Sequence, residues 1–262
     1  MLEIKDLTVR YGKQEPTVES FQLSMKKGEI VSIVGESGSG KTTVIRAVLG
    51  ALPGSGYISA GEIYFQGEAL TQKSGEEWRN LRGTRMSMIF QDCGGTLNPI
   101  RKIGKQYVEY ICTHSRVTRP QAWNKAAEML KKMRLADAEN IMKSYPHQLS
   151  GGMRQRVGSA MAMTFQPQLL LADEPTSALD VTTQAQIVRQ MMELRDRYET
   201  GIIIVTHNLG VAAYMADKLV VMQNGKVVDQ GTRDEVMNHP VSDYTKSLLQ
   251  AVPEMEGERF VS

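Results

Sequence analysis

The apolar run Glu29–Val34 passes directly into Gly35-Glu36-Ser37-Gly38-Ser39-Gly40-Lys41-Thr42, and helical periodicity begins near Thr42. A strand that turns through glycines into a helix commits the chain to a strand–loop–helix unit, the building block of parallel α/β sheets. The glycines let successive backbone N–H groups curl around one point, and the following helix directs the positive end of its dipole there. Lys41 adds a point charge, and Thr42 adds a hydroxyl oxygen suited to magnesium. This spacing is that of a phosphate-binding loop. The plainer alternative, a Gly/Ser-rich turn that happens to precede a helix, does not account for Lys-Thr at its last two positions.

The rest of the composition narrows the setting. With 262 residues, 41% hydrophobic and 23% charged, the chain suits one large globular domain or a core with one sizeable insertion. A formal net charge of +2, with Lys and Arg interspersed among acids, gives no footprint for nucleic acid. Cys93 and Cys112 are the only cysteines and have no metal-ligand spacing, so neither a disulfide framework nor a zinc or iron–sulfur site is indicated, and a reducing cytosol fits. The first ten residues mix Glu3, Lys5 and Asp6 with apolar side chains and contain no signal-peptide core. The apolar runs Leu169–Ala172 and Ile202–Val205 fall well short of the roughly 18 residues of a membrane span, so any membrane role is expected to act through a partner.

Short β-rich runs recur at Glu29–Val34, Glu62–Phe65, Met86–Phe90, Leu169–Ala172, Ile202–Thr206, Leu219–Met222 and Lys226–Val228, with helical periodicity in several intervals. The central runs are nearly all apolar, as in parallel strands buried on both faces, whereas the first 30 residues and Glu62–Phe65 alternate polar with apolar. The expected fold is α/β, with a mainly parallel sheet and a small antiparallel piece beside it. No convincing strand stands between Leu97 and Phe165. Within that interval Gln121–Leu135 places Ala122, Ala126, Leu130 and Met133 on one helical face, with Lys125, Lys131 and Lys132 off it. The interval reads as a helical insertion. A last helical segment, Tyr244–Val252, precedes Pro253 and a polar end expected to fray.

The other half of a phosphate site should be a strand ending in a carboxylate that reaches the metal, and Leu169-Leu170-Leu171-Ala172-Asp173-Glu174 fits. Asp173 is expected to hold magnesium through water, and Glu174 to accept a proton from, or orient, the attacking water at the γ-phosphate. Glu174 could instead cap a helix beginning soon after Ser177. Together the two motifs establish only a P-loop NTPase, a class that includes kinases, GTPases and motor ATPases.

A third motif is more specific. Leu149-Ser150-Gly151-Gly152-Met153-Arg154-Gln155 resembles the signature sequence of the ATP-binding cassette (ABC) family, and it stands shortly upstream of the Asp173-Glu174 strand, as in that family. Ser150 and two flexible glycines at a helix start form another anion nest, although an ordinary serine N-cap followed by a Gly-rich turn would look the same in isolation. The resemblance runs from about Leu2 to Val252. It implies a RecA-like P-loop core at 1–96 and 164–242 with an antiparallel β subdomain, a helical subdomain at 97–163 carrying the signature, and a short tail at 243–262.

The resemblance also implies roles for further residues. Gln91 resembles the family's Q-loop glutamine, which approaches the metal and contacts the membrane subunit. Ser177-Ala178-Leu179-Asp180 resembles the D-loop, with Asp180 near the nucleotide, and His207 resembles the switch histidine that contacts the γ-phosphate. A histidine ending a buried strand is otherwise more often structural. Tyr11 matches the aromatic that stacks on adenine; a half-buried tyrosine on an edge strand is its competitor. Thr43 joins Gly35–Thr42 among the nucleotide-binding residues.

Tyr145-Pro146-His147-Gln148, Leu97-Asn98-Pro99 and Tyr244-Thr245-Lys246-Ser247-Leu248-Leu249 resemble importers of peptides, nickel and metal-chelator complexes. The chain departs from them at Cys93-Gly94-Gly95, and it lacks the longer cysteine-bearing tail of many peptide-importer ATPases, which fits the nickel branch. With no internal repeat, a second cassette must come from another chain, either a related ATPase or a copy of this one. The implied protein is an ATPase using ATP and Mg²⁺ at the cytoplasmic face of the plasma (inner) membrane. Its implied partners are two membrane-spanning permease subunits and, indirectly, an extracytoplasmic solute-binding protein. The competing readings are the ATPase of another transport system, a soluble ABC ATPase outside transport, and a regulatory module that holds ATP without turnover. The soluble readings predict a long coiled coil, cysteine-rich zinc modules or two cassettes in one chain, none of which is present.

Overall fold

A computed structural model describes residues 1–177 and 180–250. In chain order it contains β1 (Leu2–Tyr11), β2 (Val18–Met25), β3 (Ile30–Val34), α1 (Lys41–Val48), β4 (Gly56–Phe65), β5 (Glu68–Ala69), α2 (Gly75–Leu81) and β6 (Met86–Ile89). A helical stretch follows: α3 (Cys93–Thr96), α4 (Ile103–His114), α5 (Arg119–Lys132), α6 (Ala138–Lys143), a 3₁₀ turn (Pro146–Gln148) and α7 (Gly151–Met163). The chain then re-enters the sheet with β7 (Leu169–Asp173), α8 (Val181–Tyr198), β8 (Gly201–Thr206), α9 (Leu209–Met215), β9 (Lys218–Gln223), β10 (Lys226–Thr232), α10 (Arg233–Asn238) and α11 (Asp243–Gln250).

Two sheets organise these elements. Six strands in the order β10-β9-β3-β8-β7-β6 form the main sheet, parallel except for β10 on one edge. Four strands in the order β2-β1-β4-β5 form an antiparallel sheet. The expected division into a parallel core, an antiparallel piece and a helical region is therefore observed. Every residue of β3, β7 and β8 is buried. On β8 the side chains divide between the two faces: Ile202 and Ile204 join the core under α4, α5, α7 and α8, while Ile203 and Val205 join the core shared with α1 and the antiparallel sheet. This double burial explains why those runs carry no polar alternation.

Helix starts follow local chemistry. Capping boxes open α2 (Ser74 with Glu77), α5 (Thr118 with Gln121) and α10 (Thr232 with Glu235). Helix α5 begins two residues before the expected Gln121 and ends at Lys132 rather than Leu135, because Arg134 takes a left-handed φ of 52°. Its predicted apolar face is nevertheless buried, Ala122, Ala126, Leu130 and Met133 all at 0% exposure. The strand expected to reach Phe90 stops at Ile89, and the helical region opens at Cys93, four residues before the expected boundary at 97. Two strands are longer than expected by several residues, Glu62–Phe65 extending back to Gly56 and Lys226–Val228 forward to Thr232, and β7, β8 and β9 by one or two. Of the predicted last helix, residues 244–250 are helical; positions 251 and 252, Pro253 and the polar end lie outside the described residues.

Parallel register brings the carboxyl ends of four adjacent strands to one edge. Val34 pairs with Thr206, Asp173 with Val205, and Ile89 with Ala172. Gly35, Gln91, Glu174 and His207 therefore emerge side by side, where open α/β sheets bind ligands.

Candidate nucleotide site

The loop between β3 and α1 is held by its surroundings as much as by its own sequence. Gly35 has a φ of 148°, and a Cβ there would lie 2.1 Å from the Met222 carbonyl oxygen of β9. Gly40 caps α1 at a φ of 97°, and its Cβ would lie 2.7 Å from the Thr17 carbonyl oxygen in the β1–β2 connection. Only glycine fits both the backbone conformation and the space. Gly225 donates its N–H to the Ser39 carbonyl oxygen at 3.2 Å. At the loop's start, the Glu36 N–H donates to the Tyr244 hydroxyl at 2.9 Å, tying in α11 across 208 positions of sequence.

Lys41 folds back over this loop. Its Nζ donates to the Gly35 carbonyl oxygen at 2.7 Å, the Glu36 carbonyl oxygen at 2.5 Å and Ser39 Oγ at 3.3 Å. Burial pulls its pKa below the usual lysine value, while the carboxylates of Glu174, Asp173 and Glu36 oppose that shift. The Thr42 hydroxyl donates to Asp173 Oδ1 at 2.8 Å. Burial raises the Asp173 pKa, against the lowering effect of that hydrogen bond. A sheltered carboxylate beside a hydroxyl is an all-oxygen donor pair that a small hard cation would suit and would compensate electrostatically.

Glu174, the next residue, holds a φ of 43° without being glycine. That conformation costs about 1–3 kcal/mol and marks a position over-determined by its neighbours. Its N–H donates to the Val205 carbonyl oxygen at 2.8 Å, and its own carbonyl oxygen accepts from Ser177 N at 3.1 Å and Ser177 Oγ at 3.0 Å. The side chain is thereby presented to two others: Gln91 Nε2 donates to Glu174 Oε2 at 3.1 Å, and His207 Nδ1 lies 3.2 Å from Glu174 Oε1. Glu174 does not cap α8. Asp180 does, with Oδ1 accepting from Thr183 N at 2.9 Å and Oδ2 from Thr183 Oγ1 at 2.7 Å, bonds that lower its pKa to about 2. Asp180, expected near nucleotide, is thus engaged in its own helix start; Ala178 and Leu179 lie outside the described residues.

Ser150, Gly151 and Gly152 stand elsewhere. Ser150 Oγ accepts from Met153 N at 3.2 Å and caps α7, Ser150 and Gly151 are exposed, and a Cβ on Gly151 would meet nothing within 4 Å. They share no hydrogen bond with the phosphate loop of their own chain. Tyr11 ends β1, which lies between β2 and β4 and so is an inner strand, contrary to the edge position considered for it. Its ring lies against Gly56 and is partly buried on the shared core; the same hairpin carries Thr17 to the phosphate loop.

Two residues with site contacts were not assigned such roles from sequence. Tyr244 was quoted only as part of a subclass motif, yet it touches the phosphate loop. Gln155 is 5% exposed and bonds to segments that flank both Gln91 and Glu174. In sequence it stood only as the last residue of the quoted signature motif, a polar side chain one turn into its helix.

Comparison with known proteins agrees with this geometry. The family model described as "ABC transporter" matches residues 18–177. The oligopeptide transport ATP-binding protein OppD of Bacillus subtilis is 43% identical over 260 residues, covering 98% of this chain and 73% of that protein. The dipeptide transport ATP-binding protein DppD of Lactococcus lactis is 40% identical over 268 residues, covering 100% of this chain and 77% of that protein. Among solved structures, the cassette MJ0796, in a dimeric post-hydrolysis state bound to ADP and Pi, superposes with a TM-score of 0.80 at 27% identity, covering 89% of this chain and 99% of its own.

Proposed function

This chain belongs to the ABC transporter family as an ATP-binding, ATP-hydrolysing subunit, and from that membership we propose that it powers a peptide importer at the cytoplasmic face of a membrane. The relatives named above are oligopeptide and dipeptide ATP-binding proteins, which favours peptides over nickel or metal-chelator complexes as the solute. Among the described residues no helix is long and apolar enough to cross a membrane. The proposed partners are two membrane-spanning subunits, with an extracytoplasmic solute-binding protein delivering peptide to them.

In the proposed mechanism the backbone N–H groups of Gly35–Thr43 and the Lys41 ammonium hold the β- and γ-phosphates, and Tyr11 stacks on the adenine. Thr42 and Asp173, with Gln91 nearby, would hold Mg²⁺, which supplies charge neutralisation at the phosphate oxygens when bound. Glu174 orients a water and takes its proton as the water oxygen attacks the γ-phosphorus. The bond from that phosphorus to the β–γ bridging oxygen breaks, leaving ADP and phosphate. Gln91 and His207 hold the two Glu174 oxygens, and His207 reaches the γ-phosphate. Because Ser150, Gly151 and Gly152 stand apart from their own phosphate loop, the proposal pairs them with the nucleotide of a second cassette, a related ATPase or a second copy of this one. The relative bound to ADP and Pi is itself described as dimeric, which supports the pairing.

The observation that carries this reading is Glu174, held in a costly backbone conformation with each carboxylate oxygen at a catalytic-type neighbour. In the assembled transporter, Glu174→Gln should retain ATP binding while single-turnover hydrolysis slows by about 10²–10⁴-fold, the usual contribution of a general base. Uptake of a labelled oligopeptide should fall with it. Near-equal hydrolysis rates would remove Glu174 from catalysis, and nickel uptake without peptide uptake by the wild type would overturn the solute.

A further inference from the structure

Gln155 is a buried polar side chain in a helix whose functional end is the signature turn five residues earlier. Its Nε2 donates to the Phe90 carbonyl oxygen at 3.0 Å and to the Pro175 carbonyl oxygen at 3.4 Å, and its Oε1 accepts from the Cys93 N–H at 3.1 Å. Phe90 immediately precedes Gln91, Cys93 follows it by two, and Pro175 immediately follows Glu174. One amide therefore bonds to backbone groups that flank both of the residues whose side chains meet at 3.1 Å in the site.

A second contact fixes the same seam. Gly158, nearly one turn further along α7, has its Cα against Cys93: a Cβ at Gly158 would lie 2.4 Å from Cys93 Cβ and 2.5 Å from Cys93 Sγ. Cys93 Sγ also donates to the Phe90 carbonyl oxygen at 3.3 Å. The segment 90–93 is thus seated on α7 at two points, so movement of the signature helix must carry this segment with it or break buried hydrogen bonds. A buried amide whose partners are backbone groups has no water to replace them, which makes the connection stiff.

We propose that Gln155 is a positioning residue for hydrolysis: it sets the contact between Gln91 and Glu174, and it transmits the position of the signature turn at the neighbouring cassette's nucleotide to the water-activating carboxylate of its own site. The proposal rests on the catalytic reading of Glu174 given above. The bonds of Gln155 go to Phe90, Cys93 and Pro175, none of them in the phosphate loop, so it acts on turnover and not on nucleotide affinity.

The test uses the assembled transporter carrying Gln155→Met, which keeps the side chain's length and removes its hydrogen bonds. ATP affinity should stay within about twofold of wild type. Turnover at saturating ATP should fall about 10–10²-fold, the scale on which small misplacements of a catalytic group act. In a Gln91→Ala background the same substitution should cost much less, because the contact it sets is already gone. A purely structural role would give the same fold-loss in both backgrounds, and that result overturns the proposal, as does wild-type turnover by Gln155→Met. If Gln155→Met loses nucleotide binding as well, Gln155→Glu, which keeps the acceptor for Cys93 and can donate at most one of the two bonds to Phe90 and Pro175, decides the matter: with binding intact its turnover must be reduced, and wild-type turnover overturns the proposal. Glu174→Gln is measured alongside. Should that variant turn over normally, the catalytic reading itself fails; if it is slow while both Gln155 variants are fast, only the positioning role fails.

Discussion

Two glycine-rich turns open helices in this chain, and they are built in opposite ways. The phosphate loop before α1 is enclosed at its two ends: Gly35, Ser39, Gly40 and Lys41 are buried while the tip, 36–38, is exposed; Gly35 and Gly40 press on the backbone of Met222 and Thr17, and Gly225 and Tyr244 bond to the loop from distant parts of the chain. The signature turn before α7 is bare: Ser150 and Gly151 are exposed, and among the described residues nothing outside its own helix turn lies within 4 Å of a Cβ built at Gly151. Two similar sequences thus have different causes for their glycines. At Gly35 the fold itself forbids a side chain; at Gly151 nothing among the described residues does. The open turn at Ser150 and Gly151 leaves its helix start free to meet an anion from outside, which is the physical case for a second cassette.

The sharpest way to break this comparison is Gly151→Asp. An aspartate in the first turn of α7 interacts favourably with the positive end of the helix dipole, worth about 0.3–1 kcal/mol, so the isolated chain should be slightly stabilised and should bind ATP as before. Placed against the phosphates of a neighbouring cassette, the same charge is repelled by several kcal/mol. Turnover by the assembled transporter should therefore fall by at least about 10²-fold while the melting temperature of the chain holds or rises. If turnover survives, or if ATP affinity of the isolated chain falls, the signature turn does not serve a second site.

Lys41→Ala tests the enclosed turn, with a somewhat smaller expected effect. A charge-assisted hydrogen bond contributes about 1.5–3 kcal/mol, so ATP affinity of the isolated, folded chain should weaken by about 10–10²-fold. This loss needs no partner. Calorimetric titration of the isolated chain returning wild-type affinity would separate Lys41 from phosphate binding and erase the distinction between the two turns.

How far each turn could be read from sequence follows the same division. Runs buried on both faces, such as Ile202–Val205, were legible because their composition leaves no other solution, and the α5 face was legible from its period. Register was not. The antiparallel pairs of β1 slip at irregularities after Ile4, Lys5, Leu7 and Thr8, where Asp6 and, on β2, Ser20 take positive φ. Half-exposed strands specify such slips weakly. Among the site residues, Lys41 and Thr42 were readable from the glycine spacing after a strand, Asp173 and Glu174 from a strand ending in carboxylates, and Gln91 and His207 only through the family resemblance; parallel register brings these positions to one edge. Gln155 was not legible, since its burial depends on where the segment 90–93 folds back, and Tyr244 lies 208 residues from its partner. The 3.6-residue period names a helix face but not what will cover it.

Tyr244→Phe gives the smallest effect and refines the enclosed side of the comparison. The ring of Tyr244 packs with Leu248 and Leu249 against Val34, Leu219 and Val221, and phenylalanine preserves that packing. Only the hydroxyl that accepts the Glu36 N–H at 2.9 Å is removed. Glu36 is exposed, so water can take the vacated N–H, and the cost is the net value of one hydrogen bond, about 0.5–1.5 kcal/mol, rather than that of a buried orphan. If the bond holds the start of the phosphate loop in its binding shape, ATP affinity of the isolated chain should weaken by about 2–10-fold. Turnover by the assembled transporter at saturating ATP should be unchanged, because neither Glu174 nor the signature turn is touched. Titration of the isolated chain with ATP, alongside a thermal melt, separates the outcomes. A lower melting temperature with unchanged affinity would make α11 a passive brace on the sheet, whereas weaker binding at an unchanged melting temperature makes it part of the wall that keeps the phosphate loop enclosed.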